Sequence, residues 1–237
     1  MRLTVTPGET VVDSMALHNV GSTTANVKIY WQDFTYLPPF TGKKDFSQPG
    51  TSPYSMASWI TFSPQIVTLP PQSKRDIDFT IKVPEDAKGG HYGVLFFEQG
   101  GAVGTKNTGV NIVTRLGSLF FVETVNRDKT STIDNIKIEE QAVKGTFTNK
   151  GDVFLFPRGI FYLTDQEGIA IERGEIEKIY LTPGNTADFT IKVNDQLAVG
   201  NYTMVLTFDL DDGDSVIKEI DFSKSDSGQL NMIAVRD

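Results

Sequence analysis

Short runs in which apolar residues take every second position, bounded by Gly, Pro, Asn or Asp, recur along this chain and predict half-buried β-strands throughout. The clearest is Phe79-Thr-Ile-Lys-Val83, which puts Phe79, Ile81 and Val83 on one face and Thr80 and Lys82 on the other. It belongs to a hexapeptide, Asp78 to Val83, that returns letter for letter as Asp188 to Val193, 110 residues later. Each copy is followed at the same distance by Gly-x-Tyr, as Gly90-His91-Tyr92 and Gly200-Asn201-Tyr202, and then by another apolar strand. The turn Asn19-Val-Gly21 likewise has a counterpart in Asn149-Lys-Gly151. A common displacement of several features reads as two related modules of one small domain each.

The expected fold is therefore all-β, two tandem immunoglobulin-like β-sandwich domains over residues 1–125 and 131–222. Residues 126–130 form a polar linker, and in the tail 223–237 the stretch Leu230 to Val235 can add one more strand. Trp31 alternates with polar neighbours on the strand after the first Asn-x-Gly turn, a place that suits a sandwich core. Tyr92 and Tyr202 stand where a corner tyrosine sends its hydroxyl back to upstream backbone. Val110 to Val122 reads as the long last strand of module one, with Gly117 marking a bulge. In module two, strands are expected at 153–156 and 176–181 among others.

Two segments break the alternation. Residues 35–58 are rich in Pro and Gly and carry Tyr36, Phe40, Phe46 and Tyr54. They form either an ornamented surface loop or an aromatic contact surface. Gln99 to Gly109 is glycine-rich and reads as a mobile hairpin loop, without the Gly-Lys-Ser/Thr end of a phosphate-binding loop.

Composition narrows the chemistry. The net charge of −8 over 237 residues leaves no basic stripe for nucleic acid. Zero cysteines remove disulfides and thiolate chemistry together. The two histidines, His18 and His91, lack a metal-ligand spacing, and there is no Gly-x-Ser-x-Gly elbow. Asp209, Asp211, Asp212 and Asp214 crowd one hairpin, but Gly213 stands fifth where a calcium loop needs its glycine sixth, so a solvated tip competes with weak calcium binding. The expectation is a protein with no catalytic residues, no cofactor and no metal. No apolar run approaches the ~20 residues of a membrane span. The chain reaches strand and turn within its first residues, which reads as a leader, with part of a first strand, already removed.

These motifs together resemble a known family. Asn-x-Gly after the second strand, Trp59-Ile-x-x-Ser-Pro64, Leu69-Pro-Pro71, Asp78 to Pro84 and Gly90-x-Tyr-Gly93 are similar to the amino-terminal domain of periplasmic pilus chaperones. The run from Gly89 to Val94 also resembles WxL-interacting bacterial surface proteins. The first resemblance implies a periplasmic protein that binds partner subunits of a fibre by β-strand addition. It implies Val110, Ile112 and Leu116 as apolar donors on the last strand of module one. It also implies Arg2 and Arg115 as basic residues lining a cleft between the domains, although no Lys stands where the family carries one, at Ser118 and Leu119. A solvent-facing strand position is the other reading of Arg115. The second resemblance implies a cell-surface or wall-associated binding protein, with Tyr36, Phe40 and Tyr54 as its contacts. Both place the chain in the bacterial envelope with a protein partner.

Overall fold

The computed structural model of the chain describes residues 1–100 and 113–237. Contacts divide the chain into two compact units, Met1–Thr35 with Asp45–Arg127, and Tyr36–Lys44 with Asp128–Asp237. Each is an all-β immunoglobulin-like sandwich, and no described residue is helical.

The first unit contains β1 (Arg2–Val5), β2 (Thr10–Asn19), β3 (Ala25–Tyr36), β4 (Lys44–Ser47), β5 (Ile60–Ser63), β6 (Ile66–Leu69), β7 (Ser73–Lys82), β8 (Gly90–Gln99) and β9 (Thr114–Thr124). One sheet runs β1-β9-β8-β3-β4, with β6 also paired to β3, and the facing sheet runs β2-β7-β5. Strand β1 lies parallel to β9, while β8 pairs antiparallel with both β9 and β3. Between the sheets lie Val27, Ile29, Trp31, Phe79, Ile81, Leu95, Phe97, Phe120 and Val122. Phe120 takes the edge contacts of the core, 5.4 Å from Trp31 and 5.3 Å from Phe79 between ring centroids. Burying each such ring contributes about 1.5–3 kcal/mol relative to exposure.

Two expectations for this unit are corrected. Residues 35–58 are not all loop: β3 continues to Tyr36, and β4 pairs with it. Gly117 is not a bulge, because β8 and β9 stay in one register from Thr114 to Glu123. The glycine is required by close approach instead, since a Cβ there would stand 2.9 Å from both Phe96 Cε1 and Val94 Cγ2.

The second unit contains β10 (Ser131–Glu139), β11 (Ala142–Asn149), β12 (Arg158–Thr164), β13 (Ala170–Glu175), β14 (Thr186–Lys192), β15 (Gly200–Asp209), β16 (Ser215–Lys224) and β17 (Leu230–Arg236). Its sheets run β10-β11-β14 and β13-β12-β15-β16-β17, so the tail does add a strand, β17 on β16. The segments 153–156 and 176–181 form no strand and share only a bridge between Leu155 and Leu181. Their apolar side chains, Val153, Phe154, Leu155, Ile176, Ile179 and Leu181, are nonetheless buried, so they fill core as coil. Tyr36, the last residue of β3 and grouped with this unit, packs 5.1 Å from Tyr180 and 5.9 Å from Phe154.

The repeated hexapeptide plays one role twice. Phe79 and Ile81 on β7, and Phe189 and Ile191 on β14, all point into their cores. The two Gly-x-Tyr tyrosines diverge. Tyr202 faces its core, 5.8 Å from Phe222, and its hydroxyl donates to the Ala198 carbonyl at 2.7 Å. Tyr92 lies on the outer face of its sheet, 5.6 Å from Phe121 and 6.5 Å from Tyr54, while its neighbours Leu95 and Phe97 face the core. Side chains alternate along a strand, so a slip of one residue exchanges the faces. Strand β8 is buried on both faces, whereas β15 alternates between buried and half-buried or exposed positions.

Candidate partner-binding edge

Strand β9 is covered along one side by β8 over its whole length, but along the other side β1 reaches only Phe121–Thr124. The Phe121 N–H donates to the Met1 carbonyl at 3.0 Å and the Met1 ammonium donates to the Leu119 carbonyl at 2.6 Å. Odd-numbered residues of β9 therefore turn their backbone groups away from β8, and the alternation of an antiparallel ladder turns Gly117 and Arg115 the same way. Among the described residues, no strand pairs with that side of Thr114–Ser118. An open edge of this kind is a template for a further strand.

Beside this edge, at the same end of the sandwich, the two sheets part around a cleft of about 300 Å³. Leu17 of β2, Val27 of β3, Leu69 of β6, Phe97 of β8 and Leu116 of β9 form its apolar wall, with Asn19, Thr23, Gln99 and Thr114 at the rim. Leu116 is 63% exposed although it stands on the core-facing side of β9, in line with Phe120 and Val122. On the opposite face the Arg115 guanidinium lies 4.1 Å over the Phe96 ring and 3.5 Å from the Tyr30 hydroxyl. That hydroxyl donates to Glu98 at 2.7 Å. Burial, with the Glu98 carboxylate, pushes the Tyr30 phenol above its ordinary pKa despite Arg115.

Of the residues singled out from sequence, Arg115 and Leu116 stand on this edge, and Val110 and Ile112 lie outside the described residues, as does most of the glycine-rich segment. Arg2 is not brought to Arg115: it pairs with Phe121 and sits 5.4 Å over that ring. Phe121 is six residues along the strand, on the order of 20 Å at ~3.3 Å per residue. Tyr36 and Phe40 are 4% and 6% exposed in the second unit, and Tyr54 is half-buried against Tyr92, so these rings consolidate the fold. Three of the four aspartates of the β15–β16 hairpin are held by cationic side chains. Arg158 bonds Asp209 at 3.0 Å and Asp211 at 3.1 Å, and the Lys129 ammonium bonds Asp212 at 2.8 Å. His18 is exposed; His91 stacks 4.0 Å from Trp59.

The residues that sequence reading missed are Leu17, Leu69 and Phe97. Each looks like an ordinary core position, and only the register of separate strands gathers them at one open end.

Neither a protein-family model nor a curated protein sequence matches the chain. The fold does have solved counterparts. The Class 5 fimbriae chaperone CfaA matches with a TM-score of 0.56 at 14% identity, over 92% of this chain and 93% of that one. A chain of the chaperone–tip adhesin complex of CFA/I fimbriae biogenesis matches with a TM-score of 0.54 at 14% identity, over 91% and 93%. At that identity what is shared is the fold, a tandem pair of immunoglobulin-like sandwiches like those of fimbrial chaperones.

Proposed function

We propose that this chain is a non-enzymatic protein-binding module of the bacterial envelope, of the fimbrial-chaperone type, which takes a partner subunit's strand along the Thr114–Ser118 edge of β9. The observation that carries the reading is that open edge, in a fold shared with chaperones of fimbriae. Main-chain hydrogen bonds to an added strand supply affinity, and side chains at alternate positions supply selectivity. Arg2, Val110, Ile112 and a basic pair lining an interdomain cleft are not needed for it.

The test separates the backbone from the side chain. Arg115→Ala keeps the outward N–H of residue 115; Arg115→Pro removes it without touching the β8 ladder. In pull-downs from an envelope extract, the partner is retained by the Ala variant and lost from the Pro variant. Equal retention by both would refute strand addition here.

A further inference from the structure

Both ring nitrogens of His91 face backbone carbonyls: Nδ1 lies 3.2 Å from the Ser55 oxygen and Nε2 lies 3.2 Å from the Lys88 oxygen. A neutral imidazole carries one N–H and one lone pair, so it satisfies one of these acceptors and turns its lone pair on the other. The imidazolium donates to both. The ring also stacks on Trp59 with centroids 4.0 Å apart, an arrangement that attracts a cation. We propose that His91 is a proton-operated clasp: its imidazolium ties the segment at Ser55 to the start of β8, and loss of the proton releases one of the two ties. This lies at the far end of β8 from the Thr114–Ser118 edge and does not rest on strand addition.

The clasp acts where the sheet is interrupted. Strand β8 pairs with β3 only from Val94 onward, and before that point the segment after β4 takes the place of β3. Ser55 bridges to Tyr92 there, and the Tyr92 N–H donates to the Tyr54 carbonyl at 2.7 Å. Charged groups stand on every element around the ring. Lys82 ends β7, and its N–H donates to the Trp59 carbonyl. Glu85, Asp86 and Lys88 occupy the turn before β8, and β9 brings Glu123, paired with Arg127 at 3.1 Å. Asp33 of β3 holds the Ser55 hydroxyl, and the segment itself adds the Tyr54 phenol, which burial pushes above its ordinary pKa. Four carboxylates against three cations do not oppose a further positive charge. Burial does oppose it, but His91 is only half-buried. The direct contacts therefore decide, and charge-assisted bonds are roughly twice as strong as neutral ones. A folded pKa raised above the unfolded value of about 6.5 contributes stability that is complete below about pH 6.5 and is lost as pH rises through the folded value.

The test uses the full chain carrying His18→Gln, which leaves His91 as its one histidine. Its imidazole resonances are followed by NMR from about pH 5 to about pH 9, in the native protein and in denaturing urea. The native midpoint lies at least about one unit above the unfolded one near 6.5. A shift of one unit makes the folding equilibrium constant of the first unit roughly eightfold larger near pH 5.5 than near pH 8.5, read by urea unfolding with tryptophan emission. His91→Gln removes that difference. Amide exchange at Ser52 and Tyr92, corrected for its intrinsic pH dependence, becomes severalfold faster above the midpoint. A native midpoint at or below the unfolded one would overturn the proposal without recourse to any His91 variant. An eightfold difference that persists in His91→Gln would overturn it as well. A raised midpoint with protection at Ser52 and Tyr92 unchanged across it would show that His91 holds a proton but clasps nothing, which also overturns it.

Discussion

Asp33 is the most informative residue to perturb. It stands fully buried on β3 and its carboxylate takes three hydrogen bonds from the segment after β4: the N–H of Thr51 at 2.9 Å, the N–H of Ser52 at 3.0 Å and the Ser55 hydroxyl at 2.7 Å. Ser55 in turn bridges to Tyr92, whose N–H donates to the Tyr54 carbonyl at 2.7 Å, so this carboxylate anchors the cover of the sheet's outer face. Each bond to a charged acceptor contributes about 1.5–3 kcal/mol, and a donor left buried without a partner costs about 1–3 kcal/mol. Asp33→Ala removes all three bonds and orphans the Ser52 N–H and the Ser55 hydroxyl, while the Thr51 N–H keeps its second bond, to the Gln48 carbonyl at 3.2 Å. Relaxation of the segment keeps the loss below the sum, so about 3–5 kcal/mol is expected. Asp33→Asn can still accept from the two N–H groups, but it loses the charge and the bond from the Ser55 hydroxyl, whose oxygen already accepts from the Gly50 and Ala57 N–H groups, for about 1–3 kcal/mol. Both tryptophans, Trp31 and Trp59, belong to the first unit, so urea unfolding followed by tryptophan fluorescence reads that unit alone. Asp33→Ala within about 0.5 kcal/mol of wild type, or an Asn variant as damaged as the Ala variant, would refute the reasoning.

Other expectations follow the same geometry. Gly93→Ala puts a Cβ within 1.9 Å of Trp31 Cζ2, so the indole must move; a loss of about 1–3 kcal/mol and a shift in tryptophan emission are expected. Tyr202→Phe removes the bond to the Ala198 carbonyl and costs the second unit about 1 kcal/mol by calorimetry, with the tryptophan transition unmoved. Arg236, then Thr203, holds the Asp221 carboxyl below its ordinary range, and the Thr130 hydroxyl and N–H do the same for Asp128. A folded pKa below the unfolded value contributes stability in full above about pH 3.9 and loses it as pH falls through the lowered value. The second unit's thermal midpoint should therefore fall on going from pH 5 to pH 2.5, and Asp221→Asn should flatten that dependence.

The sandwich architecture was legible because strand period and turn chemistry are local. The hexapeptide fills two cores as its alternation predicts, and Trp31 is buried where its spacing places it. What was not legible depends on partners distant in sequence. Both tyrosine hydroxyls turn back over the glycine two residues upstream, but Tyr92 and Tyr202 differ in the face they take, a one-residue difference that only pairing partners reveal. The bulge assigned to Gly117 fails because a strand glycine can also answer to a ring on the next strand, here Phe96. The aromatics of 35–58 were read as an exposed surface or ornament, yet Tyr36 and Phe40 are interior, since composition does not say which surface a ring covers. Arg115 and Leu116 are read from the sequence as candidates and both stand on the open edge, whereas the cleft beside them draws on Leu17, Leu69 and Phe97 from strands distant in sequence.

The two-faced burial of β8 bears on where a partner can dock. The run Val94-Leu-Phe-Phe97 is continuous rather than alternating, and in the structure Val94 and Phe96 serve one face while Leu95 and Phe97 serve the other. An outer face that apolar would be an exposed patch unless something lay on it, and chain after β3 does: Phe46 packs 5.1 Å from Phe96, and Tyr54 stands against Tyr92. The long segment between β3 and β5 is thus explained by the strand it shields. Among the described residues, the Thr114–Ser118 side of β9 is a backbone edge of this sheet left without a strand. Backbone groups recognise extension rather than sequence, so the edge alone would accept any strand.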